Sequence, residues 1–310
     1  MPKDNKSPHD VRPVFENSPA FSPPSSTAQV EFGARSRRGA ASESNADHYA
    51  VIELGRYQKT LLTSLPPAST PARFEERGYA AVVADGVGEV GDGEAASRLA
   101  LSTLLHVIAR FSRWELRVDE TIAQEVMQRA DGYYRYVDST MAERNRAEPR
   151  DSDRPRQRWR TTLTAVFGAG HDLFFAHVGH SRAYLSRDGV LMRLTRDHTI
   201  GAQGSRVPMA PLVDVSDAAR DIKHILTDTI GMGGTLGPSI DVERFHLLDR
   251  DRVLVCSNGL TDTVDEERIG RILASALPPG EQCQLLVDAA AAAGGQDDAT
   301  AVVAYFNLPD

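Results

Sequence analysis

The chain is poor in cysteine and has no long apolar run. Its 310 residues include two cysteines, Cys256 in an apolar run and Cys283 in a helical pattern. A disulfide framework and a cysteine-rich zinc site are therefore excluded. No stretch approaches the roughly 18 apolar residues of a membrane helix, and the start MPKDNKSPHD lacks the apolar segment of a signal peptide. We expect a cytoplasmic protein without a membrane partner.

Positive charge is also in deficit. Lys and Arg number 35 against 43 Asp and Glu, a net charge of −8. Nucleic-acid backbones are bound by clustered Lys and Arg, so this balance argues against a nucleic-acid partner. A basic partner or a metal cation suits an acidic chain better.

Composition divides the chain into a tail and one domain. Residues 1–30 are crowded with Pro and Ser and lack apolar periodicity, which predicts a disordered tail. The hydrophobic content of 41% suffices for one sizeable core, which we assign to residues 31–308. Polar stretches at 64–78 and 142–160 are predicted to be surface loops.

Apolar patterns predict strands and helices in a mixed order. The predicted strands are HYAVIEL, YAAVVAD, TTLTAVFGA, DLFFAHVG, RAYLSR, VLMRL, VERFHLL, RVLVCS and ATAVVAYF. Three- and four-residue spacing predicts helices over 93–111 and 119–141, and shorter ones near 265–276 and 280–293. Meander-like strands beside segregated helices indicate an α+β fold of packed antiparallel sheets flanked by helices.

Oxygen-bearing side chains recur at the predicted strand ends. The set is Asp47, Asp85 with Gly86, Asn258, Asp297 and Asp298. A carboxylate next to a glycine can hold a hard divalent cation through its side chain and a backbone carbonyl. A single such turn is more often an ordinary strand-to-helix turn capped by aspartate. Several at one rim of two packed sheets would form a two-metal site that activates water.

The same segments resemble, in order and spacing over residues 35–306, the motifs of the PPM (type 2C) metal-dependent protein phosphatases of bacterial type. The matching segments are NADHYAV, VADGVGEVGDGEAAS, RTTLTAV, HVGHSRAYL, LTRDHT, ILTDTIGMGG, VLVCSNGLTD and DDATAVV. Each match alone is weak, and their shared register carries the resemblance. It implies a four-layer αββα sandwich of two antiparallel sheets flanked by helices. It also implies hydrolysis of phosphoserine and phosphothreonine by water that two Mn²⁺ or Mg²⁺ ions activate.

The resemblance assigns roles by position. Asp85 would bridge the two ions, and the Gly86 carbonyl would bind one of them. Asp297 would complete the shell of the other ion, and Asp47 would act through a bound water. Asp85 and Asp297 are thus the predicted catalytic residues, and Asn258 completes the predicted metal ligands.

Two departures from the family pattern concern the metal ligands. Asn258 stands where the family has Asp, and an uncharged amide should hold its ion more weakly. His180 stands where the family has an Asp that supports a third ion. Because imidazole is a poor ligand for Mg²⁺, a third ion is not expected.

Two more departures concern the phosphate and the last motif. Ser42 replaces an arginine that grips phosphate, so Arg37 or Arg38 would have to bind it instead. Asp298 replaces the Asn of the last motif and adds a charge beside Asp297.

Two hypotheses of function compete. In the first, the chain is a working Ser/Thr phosphatase with lowered metal affinity. In the second, it is a catalytically impaired pseudophosphatase that binds phosphoproteins as a scaffold. We favour the first. Its partner is expected to be a phosphorylated protein, the substrate of a Ser/Thr kinase, and the phosphatase itself a monomer. His198 is expected to be a structural turn residue, and residues 201–224 a variable flap beside the site.

Overall fold

The computed structural model describes residues 28–66, 73–88, 91–111, 118–147, 159–204, 225–233 and 237–308. The predicted tail up to residue 27 and the flap beyond residue 204 lie outside the described residues. No helix of the described part is long and apolar enough to cross a membrane.

Runs of strands are separated by groups of helices along the chain, and the two do not alternate regularly. The strands are β1 (Gln29–Arg37), β2 (Asp47–Lys59), β3 (Arg73–Val87), β4 (Arg160–Thr161), β5 (Leu163–Ala169), β6 (Asp172–Val178), β7 (Arg182–Arg187), β8 (Val190–Arg193), β9 (Asp241–His246), β10 (Arg252–Cys256) and β11 (Ala299–Asn307). The helices are α1 (Asp92–Phe111), α2 (Glu120–Ala147), α3 (Ile200–Gly204), α4 (Asn258–Thr261), α5 (Glu266–Leu273) and α6 (Pro279–Ala292).

The strands form two antiparallel sheets. The first sheet has the order β1-β11-β10-β7-β8. The second has the order β2-β3-β5-β6-β9, with β4 paired to β3. The antiparallel pairing predicted from the meander-like strand order is therefore confirmed.

The central strands are buried on both faces, which explains their continuous apolar runs. In β3, Ala81 and Val83 face the core between the two sheets, whereas Val82 and Ala84 face α1 and α2. Because side chains alternate along a strand, one strand can supply two separate cores. Burying a valine such as Val82 or Val83 contributes about 1.5–3 kcal/mol.

Helices cover the outer face of each sheet. Leu104 of α1 and Tyr134 of α2 pack on the second sheet. Ile269 of α5 and Leu286 of α6 pack on the first sheet, together with the free thiol of Cys283. The result is the predicted four-layer αββα sandwich, which is confirmed.

Three boundaries differ from the sequence predictions. The predictions lack β1, which begins at Gln29 inside the predicted tail. The predicted loop 64–78 was wrong in its last part, because β3 begins at Arg73. The predicted loop 142–160 was wrong at both ends, since α2 continues to Ala147 and β4 begins at Arg160. In each case polar residues form part of a regular element, and polarity alone was read as a loop.

Candidate active site

Two buried carboxylates face each other at one end of the second sheet. Asp47 is the first residue of β2 and lies directly opposite Asp85 of β3 in the antiparallel register. Their exposed fractions are 6% and 7%. Asp85 comes directly after the apolar run of β3, so the burial of that strand carries its carboxyl group inside.

A serine joins this carboxylate pair to the first sheet. Ser257 follows β10, and its hydroxyl donates to Asp47 Oδ2 at 2.7 Å. The same Oγ accepts from the backbone N–H of Thr300 in β11 at 2.9 Å. The rim of the second sheet is thereby tied to two strands of the first.

The neighbouring positions of the first sheet add amide and carboxylate groups. Asn258 begins α4 directly after Ser257, and its amide nitrogen lies 3.3 Å from Asp297 Oδ2 and 3.1 Å from Asp262 Oδ2. Asp297 lies just before β11. The structure thus brings Asn258 and Asp297 together beside the Asp47–Asp85 pair.

Burial and neighbouring negative charges raise the pKa values of the two rim carboxylates. Burial raises the pKa of Asp47 to about 7, and the charges of Asp298 and Asp297 add to this rise. Burial, followed by the charge of Asp47, raises the pKa of Asp85 well above its usual range. A bound cation would reverse both effects, because it favours the ionised carboxylates.

The backbone around Asp85 is fixed by two threonines. Its N–H donates to Thr162 Oγ1 at 3.2 Å, and its carbonyl accepts from Thr161 Oγ1 at 2.7 Å. Thr162 Oγ1 also lies 2.7 Å from Ser181 Oγ, on the loop before β7. These contacts hold the Asp85 backbone and leave its carboxyl group available.

Gly86 lies where strand β3 meets helix α1. Its N–H donates to the Ala46 carbonyl at 3.2 Å. A Cβ at Gly86 would lie 1.9 Å from the Gly93 carbonyl oxygen, a distance far shorter than a van der Waals contact. The glycine is therefore required by the close approach of the first turn of α1.

The Asp298 carboxylate binds backbone N–H groups through both of its oxygens. It is 3% exposed, its Oδ1 accepts from the N–H of Gly39 at 2.8 Å, and its Oδ2 accepts from the N–H of Ala46 at 2.6 Å. The carboxylate thus closes the loop between β1 and β2 and positions the residue just before Asp47.

Replacing Asp298 with Ala is expected to destabilise the protein by about 2–6 kcal/mol, because it leaves the N–H groups of Gly39 and Ala46 without their acceptor and each such group costs about 1–3 kcal/mol. Asp298→Asn keeps one acceptor oxygen and should lose less. Urea unfolding of both variants measures the difference. An alanine variant as stable as wild type would show that the loop does not depend on this carboxylate.

The two candidate phosphate ligands make contacts of their own. Arg37 donates to Asp288 of α6 at 3.1 Å, and both side chains are about half exposed. Arg38 donates to the carbonyl of Glu43 at 2.9 Å, within the loop that also contains Ser42. Either guanidinium would have to leave these contacts to reach a phosphate at the rim, so their role stays a prediction.

The two histidines singled out from the sequence lie in different surroundings. His180 Nδ1 is 3.7 Å from Asp85 Oδ2. His198 is buried, accepts from the N–H of Gly179 at 3.3 Å and lies 3.1 Å from Asp241 Oδ2. These contacts give His198 a structural role in its turn.

The donor atoms at the rim suit a hard divalent cation. Asp85 Oδ2 and Asn258 Oδ1 are buried and accept no hydrogen bond from the described residues. Both are oxygen donors of the type that Mg²⁺ and Mn²⁺ take. Within the described ranges, no three His, Cys, Asp or Glu side chains already converge into a metal-binding group. The donor chemistry fits such an ion, and the carboxylates must draw together to hold it.

Sequence reasoning assigned no role to Ser257 or Asp262. Both lie inside the segment VLVCSNGLTD, and Asp262 follows Asn258 by one helical turn, which was the available signal. The threonines that hold Asp85 were equally visible as the pair Thr161-Thr162, but their partner could be named only from the pairing of β4 with β3.

Two antiparallel sheets covered by helices on their outer faces, with buried carboxylates at one rim, define the structural class of this chain. Within that class the chain belongs to the protein phosphatase 2C family, because the model of that family matches residues 71–291. The resemblance recognised in the sequence is confirmed.

The relatives include bacterial enzymes. The chain is 30% identical over 228 residues to the serine/threonine protein phosphatase PstP of Mycobacterium tuberculosis, with 72% of this chain and 39% of PstP covered. This chain therefore spans about two fifths of the length of that relative. It is 29% identical over 229 residues to the serine/threonine phosphatase stp of Listeria innocua, covering 73% of this chain and 84% of stp.

A solved structure shares the fold. The catalytic domain of PstP in complex with two manganese ions superposes with a TM-score of 0.63 at 26% identity. The match covers 91% of this chain and 100% of that domain.

Proposed function

We propose that the chain is a divalent-metal-dependent protein phosphatase that hydrolyses phosphoserine and phosphothreonine. The observation that carries the proposal is the buried pair Asp47 and Asp85, which face each other in register next to Asp297. Such a concentration of buried like charge is unfavourable unless a cation neutralises it. The PstP domain solved with two manganese ions supports the same assignment.

The residues proposed to hold two Mn²⁺ or Mg²⁺ ions are Asp47, Asp85, Gly86 through its carbonyl, Asn258 and Asp297. When bound, the ions supply Lewis-acid chemistry, activating water and neutralising the phosphoryl oxygens. The chain's own contribution is to hold the donors in place. The threonine pair fixes the Asp85 backbone, and the Ser257 hydroxyl orients Asp47 across the two sheets.

One observation favours the alternative, a phosphoprotein-binding module without turnover. The Asn258 amide donates toward Asp262 and Asp297, so it already relieves part of the charge that an ion would neutralise. In that case the fold would keep its shape without a cation. The hydrogen bonds described for this amide go to Asp262 and Asp297, not to Asp47 or Asp85, and that second pair of carboxylates argues for the enzyme.

The substrate and partners follow from the proposed activity. We expect a phosphorylated protein, the product of a Ser/Thr kinase, and a monomeric phosphatase. Arg37 or Arg38 remains the proposed phosphate ligand in place of Ser42. The net charge of −8 favours substrates with basic residues near the phosphate.

Phosphate release from a phosphothreonine peptide is expected with Mn²⁺ and is expected to fall to background when a chelator removes the ion. A phosphotyrosine peptide of the same sequence is the matched control and should release far less phosphate. Binding of the phosphothreonine peptide is followed on the same samples by fluorescence anisotropy. Tight peptide binding with only background hydrolysis at millimolar Mn²⁺ would contradict the phosphatase proposal and support the phosphoprotein-binding scaffold.

A further inference from the structure

His180 lies against Asp85, one of the two carboxylates buried face to face at the rim. Its Nδ1 is 3.7 Å from Asp85 Oδ2, and the two side chains are 16% and 10% exposed. This separation is too long for a hydrogen bond, which joins heavy atoms at about 2.7–3.2 Å. Asp85 Oδ2 is itself buried and accepts no hydrogen bond from the described residues.

The separation suits two ligands of one ion. Donor atoms that each lie about 2.1 Å from a shared ion are about 3.0 Å apart at an angle of 90° and about 3.6 Å apart at 120°. The observed distance is close to the upper value, so small rotations of the two side chains suffice.

The loop that carries His180 is fixed to the strand that carries Asp85. Thr162 Oγ1 contacts both the Asp85 N–H and the Ser181 hydroxyl. On the other side of the histidine, the N–H of Gly179 donates to His198. The imidazole and the carboxylate are therefore held close together by the backbone and not by a mobile surface loop.

A nitrogen donor changes which ion the site prefers. Carboxylate, carbonyl and water oxygens suit Mg²⁺ and Mn²⁺, whereas imidazole suits the later first-row ions such as Zn²⁺. We propose that His180 is a ligand of the ion that Asp85 holds, and that it shifts the metal preference of this chain away from Mg²⁺ toward those later ions. The inference rests on the proposed metal-dependent function and deepens it.

The test measures metal binding separately from hydrolysis. Calorimetry on the metal-free full chain gives the affinities for Mg²⁺, Mn²⁺ and Zn²⁺, and pulsed electron paramagnetic resonance on the Mn²⁺-loaded chain detects directly bound nitrogen. Wild type is expected to show nitrogen modulation that His180→Ala removes. Affinity for Zn²⁺ should fall at least about tenfold in that variant, since changes even next to a ligand cost about 10–100-fold, while Mg²⁺ affinity stays within about twofold.

Two further variants sharpen the result. His180→Asp supplies an oxygen donor and should raise Mg²⁺ affinity relative to Zn²⁺. His106→Ala removes an exposed histidine of α1 whose Nδ1 lies 2.7 Å from the Ser102 carbonyl of the same helix, and it should change neither signal. The wild-type spectrum decides the question even if a variant folds poorly.

The possible outcomes separate the two proposals. A wild-type chain that binds Mn²⁺ and releases phosphate but shows no nitrogen modulation overturns the role of His180 alone. Zn²⁺ affinity that is unchanged or higher in His180→Ala also overturns it, because the imidazole would then compete with the ion for Asp85. Nitrogen modulation without any phosphate release would support the ligand and contradict the phosphatase activity.

Discussion

Asp85→Asn is expected to lower phosphopeptide turnover by at least about 10²–10³-fold, the range for losing one preorganised electrostatic group. Asn keeps the shape of the side chain and removes the charge proposed to hold the ions. The protein should still fold, because the hydrogen bonds described for Asp85 are made by its backbone. Steady-state hydrolysis of the phosphothreonine peptide at saturating Mn²⁺ measures the loss.

The stability of the same variant gives a second, independent reading. Because burial raises the pKa of Asp85, ionising it at neutral pH costs folding free energy in the absence of a cation. Asp85→Asn removes that cost, so the metal-free variant should melt no lower than wild type. Mn²⁺ should raise the melting temperature of wild type more than that of the variant.

Asp188→Asn is the matched control for this substitution. Asp188 is exposed in the turn between β7 and β8, with φ of 50°, a conformation that Asn accepts readily. Turnover and melting temperature should both equal those of wild type. Equal turnover in Asp85→Asn and wild type would assign the chemistry to another residue or to a contaminating enzyme.

Gly86→Ala is expected to destabilise the fold by about 3 kcal/mol or more, at the upper end of the cost of overpacking. The new methyl group would meet the backbone of Gly93 at 1.9 Å from the carbonyl oxygen and 2.2 Å from the carbonyl carbon. Neither atom can rotate away, so α1 must move off β3. The melting temperature should fall by about 5–10 °C, and turnover should fall with it because Asp85 is the preceding residue.

Gly132→Ala is the control for that change. Gly132 lies inside α2, and a Cβ there would meet nothing within 4 Å. Alanine should therefore stabilise the helix by about 0.5–1 kcal/mol. If Gly86→Ala melts like Gly132→Ala, the close contact between β3 and α1 described above is wrong.

The central strands could be predicted from sequence because their burial leaves an unmistakable pattern. YAAVVAD is apolar on both faces, as a strand between a helix layer and a second sheet must be. The first part of β3 could not be recognised in this way. Among the described strands it pairs with β2 alone, where Arg56 lies opposite Glu76 and donates to it at 2.7 Å. Charged residues therefore stabilise a strand that composition assigns to a loop.

The sequence predicts which site residues lie at the ends of strands. It does not predict which of these residues contact one another. That Asp47 faces Asp85 depends on the register of β2 with β3, which no local pattern encodes. That Asp298 binds backbone N–H groups of the β1–β2 loop depends on two segments about 250 residues apart along the chain. From the sequence, Asp298 was predicted to add a charge beside Asp297. In the structure its carboxylate accepts hydrogen bonds from backbone N–H groups.

Counting bound ions against turnover tests the central claim most directly. Metal-free protein is titrated with Mn²⁺, the bound ions are counted by equilibrium dialysis, and phosphate release from the phosphothreonine peptide is measured on the same samples. A two-ion phosphatase predicts background release without metal, with turnover that rises as ions bind and saturates at two per chain. Turnover that survives removal of divalent ions would contradict the account, as would two bound ions with no phosphate released.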